Sequence, residues 1–278
     1  MWRSLVLLAC GCNQVLGLDQ TGVDMRTDLD GDGIADIEDP CIVTDADLIR
    51  DSEGDGVANA DDPCPFSRGT ADGDRDGITD DCDPFATAGD RHVCSMVFGS
   101  RALNATLWSP RAGEQEFAIA TGYLIGFEGS SFVANQPIVP KSPTVVLDLA
   151  AGTFGPYDPF SVGMWLSAFP THEPRDVACR VVSDGTLFHV EIVGPTGMVS
   201  SPLVNVSDTG YYYLRAYLQP SLDGVNVACG VGYPGDGLAY VRGHIDAPLA
   251  NFGFVADAGA TYVEGLFVYD RADLPSLP

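Results

Sequence analysis

Short runs of alternating apolar and polar residues follow one another through the last two-thirds of the chain. In Leu187–Val193, the residues Phe188, Val190 and Ile192 would face one way, and His189 and Glu191 the other. This two-residue period is typical of a strand. Gly, Pro, Asp and Ser separate the runs roughly every 8–12 residues, and we find no convincing helical stripe free of Gly or Pro. The pattern therefore predicts an antiparallel sandwich or barrel. The ten predicted strands are Phe117–Ile125, Thr144–Leu149, Phe160–Phe169, Val177–Ser183, Leu187–Val193, Tyr211–Leu218, Val225–Gly230, Leu238–Val241, Phe252–Ala256 and Tyr262–Tyr269.

One of these strands, Tyr211–Leu218, offers a candidate ligand face. Its core-facing positions would be Tyr212, Leu214, Ala216 and Leu218. The opposite face would carry Tyr211, Tyr213, Arg215 and Tyr217. Aromatic rings with a cation between them suit stacking on sugar rings or anchoring of a protein partner. The alternative is that another layer or loop of the chain covers this face.

An acidic segment precedes the strands. Residues 28–83 contain 19 Asp and Glu against three Arg, a net charge of −16 out of −25 for the whole chain. Nucleic-acid binding is excluded as a function because phosphates require Lys and Arg. Carboxylates packed this closely repel one another unless a multivalent cation lies among them, so the segment indicates a metal ligand.

Three copies of one pattern, beginning at 28, 51 and 72, run through this segment. A 12-residue loop wraps calcium with oxygens from positions 1, 3, 5, 9 and 12 and the carbonyl of 7, with glycine at 6 for the turn. The first predicted ligand set is Asp28, Asp30, Asp32, Ile34, Asp36 and Asp39, turning at Gly33. The second is Asp51, Glu53, Asp55, Val57, Asn59 and Asp62, turning at Gly56. The third is Asp72, Asp74, Asp76, Ile78, Asp80 and Asp83, turning at Gly77. The alternative, an acidic disordered linker, does not account for the glycine register.

The residue after position 12 distinguishes among the known calcium modules. It is proline in every copy, at Pro40, Pro63 and Pro84, and proline prevents the outgoing helix that an EF-hand or dockerin needs. The phrase Asp-x-Asp-x-Asp-Gly-x-x-Asp-x-x-Asp-Pro-Cys resembles thrombospondin type 3 repeats. The resemblance implies an irregular, calcium-wrapped stalk stapled by disulfides between neighbouring repeats. It suggests the pairs Cys41–Cys64 and Cys82–Cys94, although Cys82 comes before position 12 rather than after it.

Two phrases of the β region carry a second resemblance. Residues 210–230 and the final run Tyr262–Leu274 are similar to strands of laminin G-like and concanavalin A-like jelly rolls. The resemblance implies an antiparallel jelly-roll sandwich, so the expected fold class is mainly β. Cys179 and Cys229 would form a disulfide that ties two strands together.

The N-terminus resembles a bacterial lipoprotein signal. Leu7-Leu8-Ala9-Cys10 would be the lipobox, and cleavage would leave Cys10 lipidated; a merely hydrophobic N-terminus is the alternative. The expected localisation is the bacterial cell envelope, lipid-anchored at the surface or facing the periplasm. Cys12 is given no role. The predicted organisation is a signal peptide at 1–9, a tether at 10–27, calcium-binding repeats at 28–94 and a β-sandwich at 95–278.

Catalytic motifs do not stand out in the sequence. Jelly-roll glycanases need two carboxylates that flank the scissile bond, and Glu114 and Glu116 are the nearest acidic pair to such a motif. The four histidines, His92, His172, His189 and His244, lie far apart in sequence. We therefore expect a non-catalytic protein that binds calcium and recognises a glycan or protein. A hydrolase with an unrecognised active site and a purely structural surface protein are the alternatives.

Overall fold

The computed structural model describes residues 51, 54–57, 62–65, 67–97, 108–109, 117–120, 123–134, 144–154, 159–167, 177–194, 197–205, 211–232, 239–246 and 251–271. The signal peptide, Cys10, the tether, the whole first repeat and Cys41 lie outside these residues. Glu53 and Asn59 of the second repeat lie outside them as well. The predictions made for these parts of the chain stay predictions.

Sixteen strands are present in the described residues, and all pair antiparallel. They are β1 (Arg91–Val97), β2 (Trp108–Ser109), β3 (Ala118–Ala120), β4 (Tyr123–Gly126), β5 (Ser130–Ala134), β6 (Thr144–Thr153), β7 (Phe160–Ser167), β8 (Val177–Ser183), β9 (Leu187–Gly194), β10 (Gly197–Ser200), β11 (Val204–Asn205), β12 (Tyr211–Pro220), β13 (Val225–Gly232), β14 (Ala239–Ile245), β15 (Asn251–Ala258) and β16 (Thr261–Arg271).

The strands form two sheets. Sheet I has the order β14-β13-β12-β6-β16-β4-β3, with β1 also paired to β16. Sheet II has the order β10-β9-β8-β7-β15-β5-β2, with β11 also paired to β9. Successive strands repeatedly change sheet, as β4 and β5, β6 and β7, and β15 and β16 do. The mainly β, antiparallel jelly-roll sandwich expected from the sequence is confirmed.

Each of the ten predicted strands overlaps an observed one, and Phe117–Ile125 is divided between β3 and β4. Residues 121–122, 168–169 and 238 of the predicted strands lie outside the described residues. The short strands β2, β5, β10 and β11, together with β1, were not predicted. Two-residue pairings such as β2 are too short to show any period. No helix occurs among the described residues, so this part of the chain offers none that could span a bilayer.

The core lies between the two sheets and is filled by alternate residues of their strands. Tyr212, Leu214, Ala216 and Leu218 of β12 are all buried in it, as predicted. Phe188, Val190 and Ile192 of β9 enter it from sheet II, also as predicted. The predicted disulfide between Cys179 of β8 and Cys229 of β13 is confirmed, with Cα atoms 5.9 Å apart, and it joins the two sheets through the core.

Strand β6 shows that the middle of sheet I is covered on both sides. All of its residues are buried, although only alternate ones, such as Leu147 and Leu149, belong to the core between the sheets. Val146 and Ala150, which point the other way, belong to a second apolar cluster on the outer face of sheet I. Residues 62–65 and 67–90, the cover segment, contribute Ile78 and Phe85 to that cluster.

The cross-sheet disulfide closes a loop with a sequence separation of 50. Restricting an unfolded chain over a loop of that size stabilises the folded state by about 4 kcal/mol. We expect the double variant Cys179→Ala/Cys229→Ala to lose up to this amount, typically about 2–4 kcal/mol, of unfolding free energy. Guanidinium denaturation followed by tryptophan fluorescence measures it. Equal denaturation midpoints for the double variant and the parent would contradict the expectation.

Candidate metal centre

The third repeat closes into a loop that gathers three carboxylates. Oxygens of Asp72, Asp74 and Asp76 all lie within 4.8 Å of one another. Gly77 has a φ of 96°, and its N–H donates to Oδ2 of Asp72 at 3.1 Å. Glycine is favoured there because a Cβ is strained at positive φ. The predicted turn at Gly77 is confirmed, and it brings alternate carboxylates together as a calcium loop requires.

The described part of the second repeat folds in the same way. Gly56 has a φ of 98°, and its N–H donates to Oδ2 of Asp51 at 2.9 Å. Asp62, at position 12, is buried and accepts the N–H of Cys64 at 2.7 Å. The repeat seen in the sequence is therefore also a repeat of local structure. Coordination by Asp55 and by the carbonyls of Val57 and Ile78 stays a prediction.

Asp80, the predicted ligand at position 9 of the third loop, has a different partner. Its Oδ1 accepts the N–H of Gly73 at 2.8 Å, a contact that fastens the two sides of the loop together. The structure does not bring Asp80 into the group formed by Asp72, Asp74 and Asp76.

A second group of carboxylates was only partly predicted. Asp76 and Asp83 lie with Asp90 so that one oxygen of each is within 4.8 Å of the others. Asp90 comes seven residues after position 12, and nothing in the 12-residue pattern pointed to it. Its N–H donates to Oδ2 of Asp76 at 2.9 Å, which holds the two residues together.

Burial makes the fully ionised form of this second group unfavourable. Asp83 is only 5% exposed, and its burial, with the charges of Asp76 and Asp74, raises the pKa of its carboxyl to about 6. Burial and the neighbouring charge of Asp83 raise the pKa of Asp90 to about 8. Oδ2 of Asp83 and both oxygens of Asp90 are buried without a hydrogen-bond partner. Such oxygens need a proton or a metal ion.

Hydrogen bonds from sheet I hold the cover segment in place. Arg215 donates to the carbonyls of Cys82 and Asp83 at 2.8 and 3.2 Å, and its Nε donates to Asp148 at 2.7 Å. Further along the face, the hydroxyls of two tyrosines and one guanidinium reach other carbonyls of the segment. These bonds are Tyr217 to Pro84 at 3.2 Å, Tyr269 to Pro63 at 2.9 Å and Arg271 to Ala88 at 2.7 Å.

Apolar contacts support the same docking. Ile78 of the cover segment is 2% exposed and packs with the second apolar cluster of sheet I. The ring of Phe85 meets Tyr217 edge-on at 5.4 Å, and Arg271 lies over the same ring at 4.7 Å. Two apolar side chains therefore anchor an otherwise acidic segment.

Two predictions are wrong because of this docking. Tyr213, Arg215 and Tyr217, predicted as a ligand face, are at most 9% exposed and lie beneath the cover segment. The alternative, that the chain itself covers this face, is confirmed; the side chain of Tyr211 lies outside the described residues. The cover segment also does not project as a stalk, since it lies on the sandwich.

The suggested disulfide pairing is wrong as well. Cys64 is bonded to Cys82, with Cα atoms 5.6 Å apart, which excludes both Cys41–Cys64 and Cys82–Cys94. The reason is the docking: Tyr269 binds the carbonyl of Pro63 and Arg215 that of Cys82. These bonds hold the ends of the second and third loops on the same face. A staple between neighbouring repeats, as the thrombospondin resemblance implies, is nevertheless present.

The outer face of sheet II carries a separate polar network. Arg180 donates to Glu191 at 2.5 Å and also pairs with Asp257, while His189 contacts Glu191 at 3.3 Å. The predicted direction of Glu191, away from the core, is confirmed, and this residue is 3% exposed. Partly exposed Trp165 lies on the neighbouring strand of this face.

Comparisons with protein-family models and with curated proteins find no match. Among solved structures, a mutant of the GH43 protein BlXynB from Bacillus licheniformis has a TM-score of 0.48 and 9% identity, covering 64% of this chain and 39% of that one. A legume lectin-like domain from Entamoeba histolytica gives 0.46 and 11%, covering 60% and 91%. A Bauhinia forficata lectin in complex with GalNAc gives 0.41 and 12%, covering 66% and 100%.

The raised pKa values predict a distinctive pH dependence for the calcium-free protein. Because the folded state holds the protons of Asp83 and Asp90 more tightly than the unfolded chain, stability contributed by these groups falls as pH rises from about 4 to about 8. We expect the melting temperature in EGTA to decrease over this range, and calcium to remove most of the decrease. Calorimetric melts of the parent and of Asp83→Asn across this pH range measure the change in melting temperature. If the melting temperature of the parent falls by the same amount in calcium as in EGTA, the expectation is refuted.

Proposed function

We propose that this is an exported, lipid-anchored protein in which calcium-binding repeats fasten onto a β-sandwich, and that the sandwich recognises a glycan or protein without catalysis. The observation that carries the calcium part is the set of buried carboxylate oxygens of Asp83 and Asp90, which lie beside Asp76 without a hydrogen-bond partner. Hard oxygen ligands at this spacing suit calcium. The lipid anchor rests on the resemblance of residues 7–10 to a lipobox.

The acidic repeats have too little apolar surface to fold by themselves. In the cover segment, Ile78 and Phe85 are the apolar side chains that join the cluster on sheet I. Calcium would neutralise the carboxylates, and the sandwich would supply the missing apolar surface. Extracellular modules of this kind bind calcium with Kd of about 10⁻⁴–10⁻³ M. At the calcium concentrations outside cells, the repeats would therefore be a permanent brace rather than a sensor.

Calcium titration of the full chain tests this part of the proposal. We expect calorimetry to find at least two sites and calcium at 100 times Kd to add about 2.7 kcal/mol of unfolding free energy per site. Asp76→Asn, which alters the residue common to both carboxylate groups, should weaken binding most. The exposed Asp246 provides the matched control, Asp246→Asn. Fewer than two sites, or no gain in protease resistance across residues 62–90, would contradict the proposal.

Recognition would use the outer face of sheet II, since the middle of the outer face of sheet I lies under the cover segment. Gly163 and Arg180 are paired across β7 and β8, and a Cβ at position 163 would come within 2.5 Å of the Cβ of Arg180. The missing side chain leaves room for Arg180, which reaches Asp257 on β15, and Trp165 lies two residues further along β7. An indole next to groups that donate and accept hydrogen bonds is suited to a neutral sugar. Glu191 and Asp257 are both engaged by Arg180, which favours binding over the alternative of hydrolysis.

An array of neutral polysaccharides tests this recognition. We expect the parent to bind at least one of them and Trp165→Ala to lose affinity by about tenfold. His244→Ala, on an exposed position of sheet I, is the control and should bind as the parent does. Release of new reducing ends from a bound polysaccharide would support the hydrolase alternative instead. Absence of binding to every polysaccharide would contradict glycan recognition.

A further inference from the structure

We propose that Asp90 is a calcium ligand, and that Asp76, Asp83 and Asp90 together hold a calcium ion that fastens the cover segment to the sandwich. This inference rests on the proposed calcium binding and extends it to a residue outside the repeat pattern. The oxygens of the three residues lie within 4.8 Å of one another. Two oxygens on one calcium ion at about 2.3–2.6 Å can be up to roughly 5 Å apart, so a single ion fits this set.

Two aspartates of this group have buried carboxylate oxygens without a hydrogen-bond partner. The side chain of Asp83 is 5% exposed; its Oδ1 accepts the N–H of Phe85 at 2.6 Å, while its Oδ2 has no partner. Both oxygens of Asp90 are also buried and without a partner. A buried carboxylate oxygen without a partner is costly. In the described part of the chain, no Arg, Lys or His forms an ion pair with Asp76, Asp83 or Asp90.

The nearby guanidinium groups have other partners. Arg215 binds Asp148 and two carbonyls, and Arg91 binds Asp270 at 3.0 and 2.6 Å. Arg271 donates to the carbonyl of Ala88 and lies over Phe85. The negative charge of the three aspartates is therefore not compensated by these neighbouring side chains, and a divalent cation is the partner whose charge and ligand preference match them.

The position of Asp90 in the chain makes this ion a fastener. Asp90 directly precedes Arg91, the first residue of β1, which pairs with β16. Asp83 is fixed to sheet I through its carbonyl, which accepts from Arg215. Asp76 belongs to the third loop. One ion bound to all three would tie the loop to two points that the sandwich already holds.

The neighbouring group of Asp72 and Asp74 has no such attachment in the described contacts. Oδ1 of Asp72 accepts the N–H of Arg75 at 2.6 Å, and Oδ1 of Asp74 that of Asp76 at 3.3 Å. Both contacts are local to the loop. A cation there would order the loop, whereas the ion at Asp90 would order the docking. A variant of Asp90 should therefore weaken the docking of the cover segment, whereas a variant of Asp72 or Asp74 should weaken only the order of the third loop.

The test compares Asp90→Asn, Asp74→Asn and the exposed control Asp246→Asn in the full chain, using calcium alone as the probe. We expect Asp90→Asn to bind one calcium fewer than the parent by calorimetry. In saturating calcium, proteolysis within residues 62–90 should be at least tenfold faster for this variant. Asp74→Asn should also lose calcium affinity but keep the cover segment more protected than Asp90→Asn does. Asp246→Asn should match the parent in every measurement.

The sign of the stability change separates a metal ligand from a merely structural aspartate. In EGTA, Asp90→Asn removes one of three crowded carboxylates, so its melting temperature should lie above that of the parent. In calcium, it loses a ligand, so its melting temperature should lie below that of the parent. If the parent binds calcium but Asp90→Asn shows unchanged stoichiometry and no reversal of sign, this inference fails while the proposed calcium function stands. If the parent binds no calcium, both fail.

Discussion

Arg215 joins the two parts of this molecule through hydrogen bonds that only a docked cover segment can complete. It lies on the outer face of sheet I, 9% exposed, and pairs with Asp148, which is fully buried. Burial raises the pKa of Asp148, and the charge of Arg215 offsets part of that effect. A buried ion pair is tolerated only when its remaining donors are also satisfied. The carbonyls of Cys82 and Asp83 accept from both terminal nitrogens of the guanidinium, so the ion pair on the sheet depends on the cover segment.

The acidic segment and the sandwich contribute different groups to this mutual dependence. The acidic segment cannot form a core of its own, yet it covers a face lined by Tyr213, Tyr217 and Tyr269. Each of the two parts supplies what the other lacks: the sandwich gives apolar surface and donors, and the segment gives backbone carbonyls and Ile78. The cost is a group of buried carboxylates at Asp83 and Asp90, which calcium would neutralise.

Much of the sandwich was predictable because a strand with one buried face alternates in sequence. Strand β12 followed its alternation residue by residue. What covers its second face was not predictable, because Tyr213, Arg215 and Tyr217 form the same pattern under a ligand or under another part of the chain. A signal was present in β6, where Val145–Leu147 is apolar at every position, as expected for a strand buried on both faces.

The candidate metal centre was predictable only within its repeat. Spacing identified Asp72, Asp74, Asp76 and Asp83 because a 12-residue loop fixes their relative positions. Asp90 and the Cys64–Cys82 disulfide depend on how the chain folds back onto sheet I, and no local pattern encodes that path. The sequence does hold one clue to this docking. Position 7 of each loop is apolar, at Ile34, Val57 and Ile78, and Ile78 packs against sheet I.

The central claim, that calcium holds the cover segment on sheet I, is tested most directly by hydroxyl-radical footprinting of its tyrosines by mass spectrometry. Tyr217 and Tyr269 should be protected in calcium and oxidised rapidly in EGTA, because the cover segment then leaves the face. Tyr212, in the core between the sheets, should be protected in both. Equal reactivity of Tyr217 and Tyr269 with and without calcium would contradict the account.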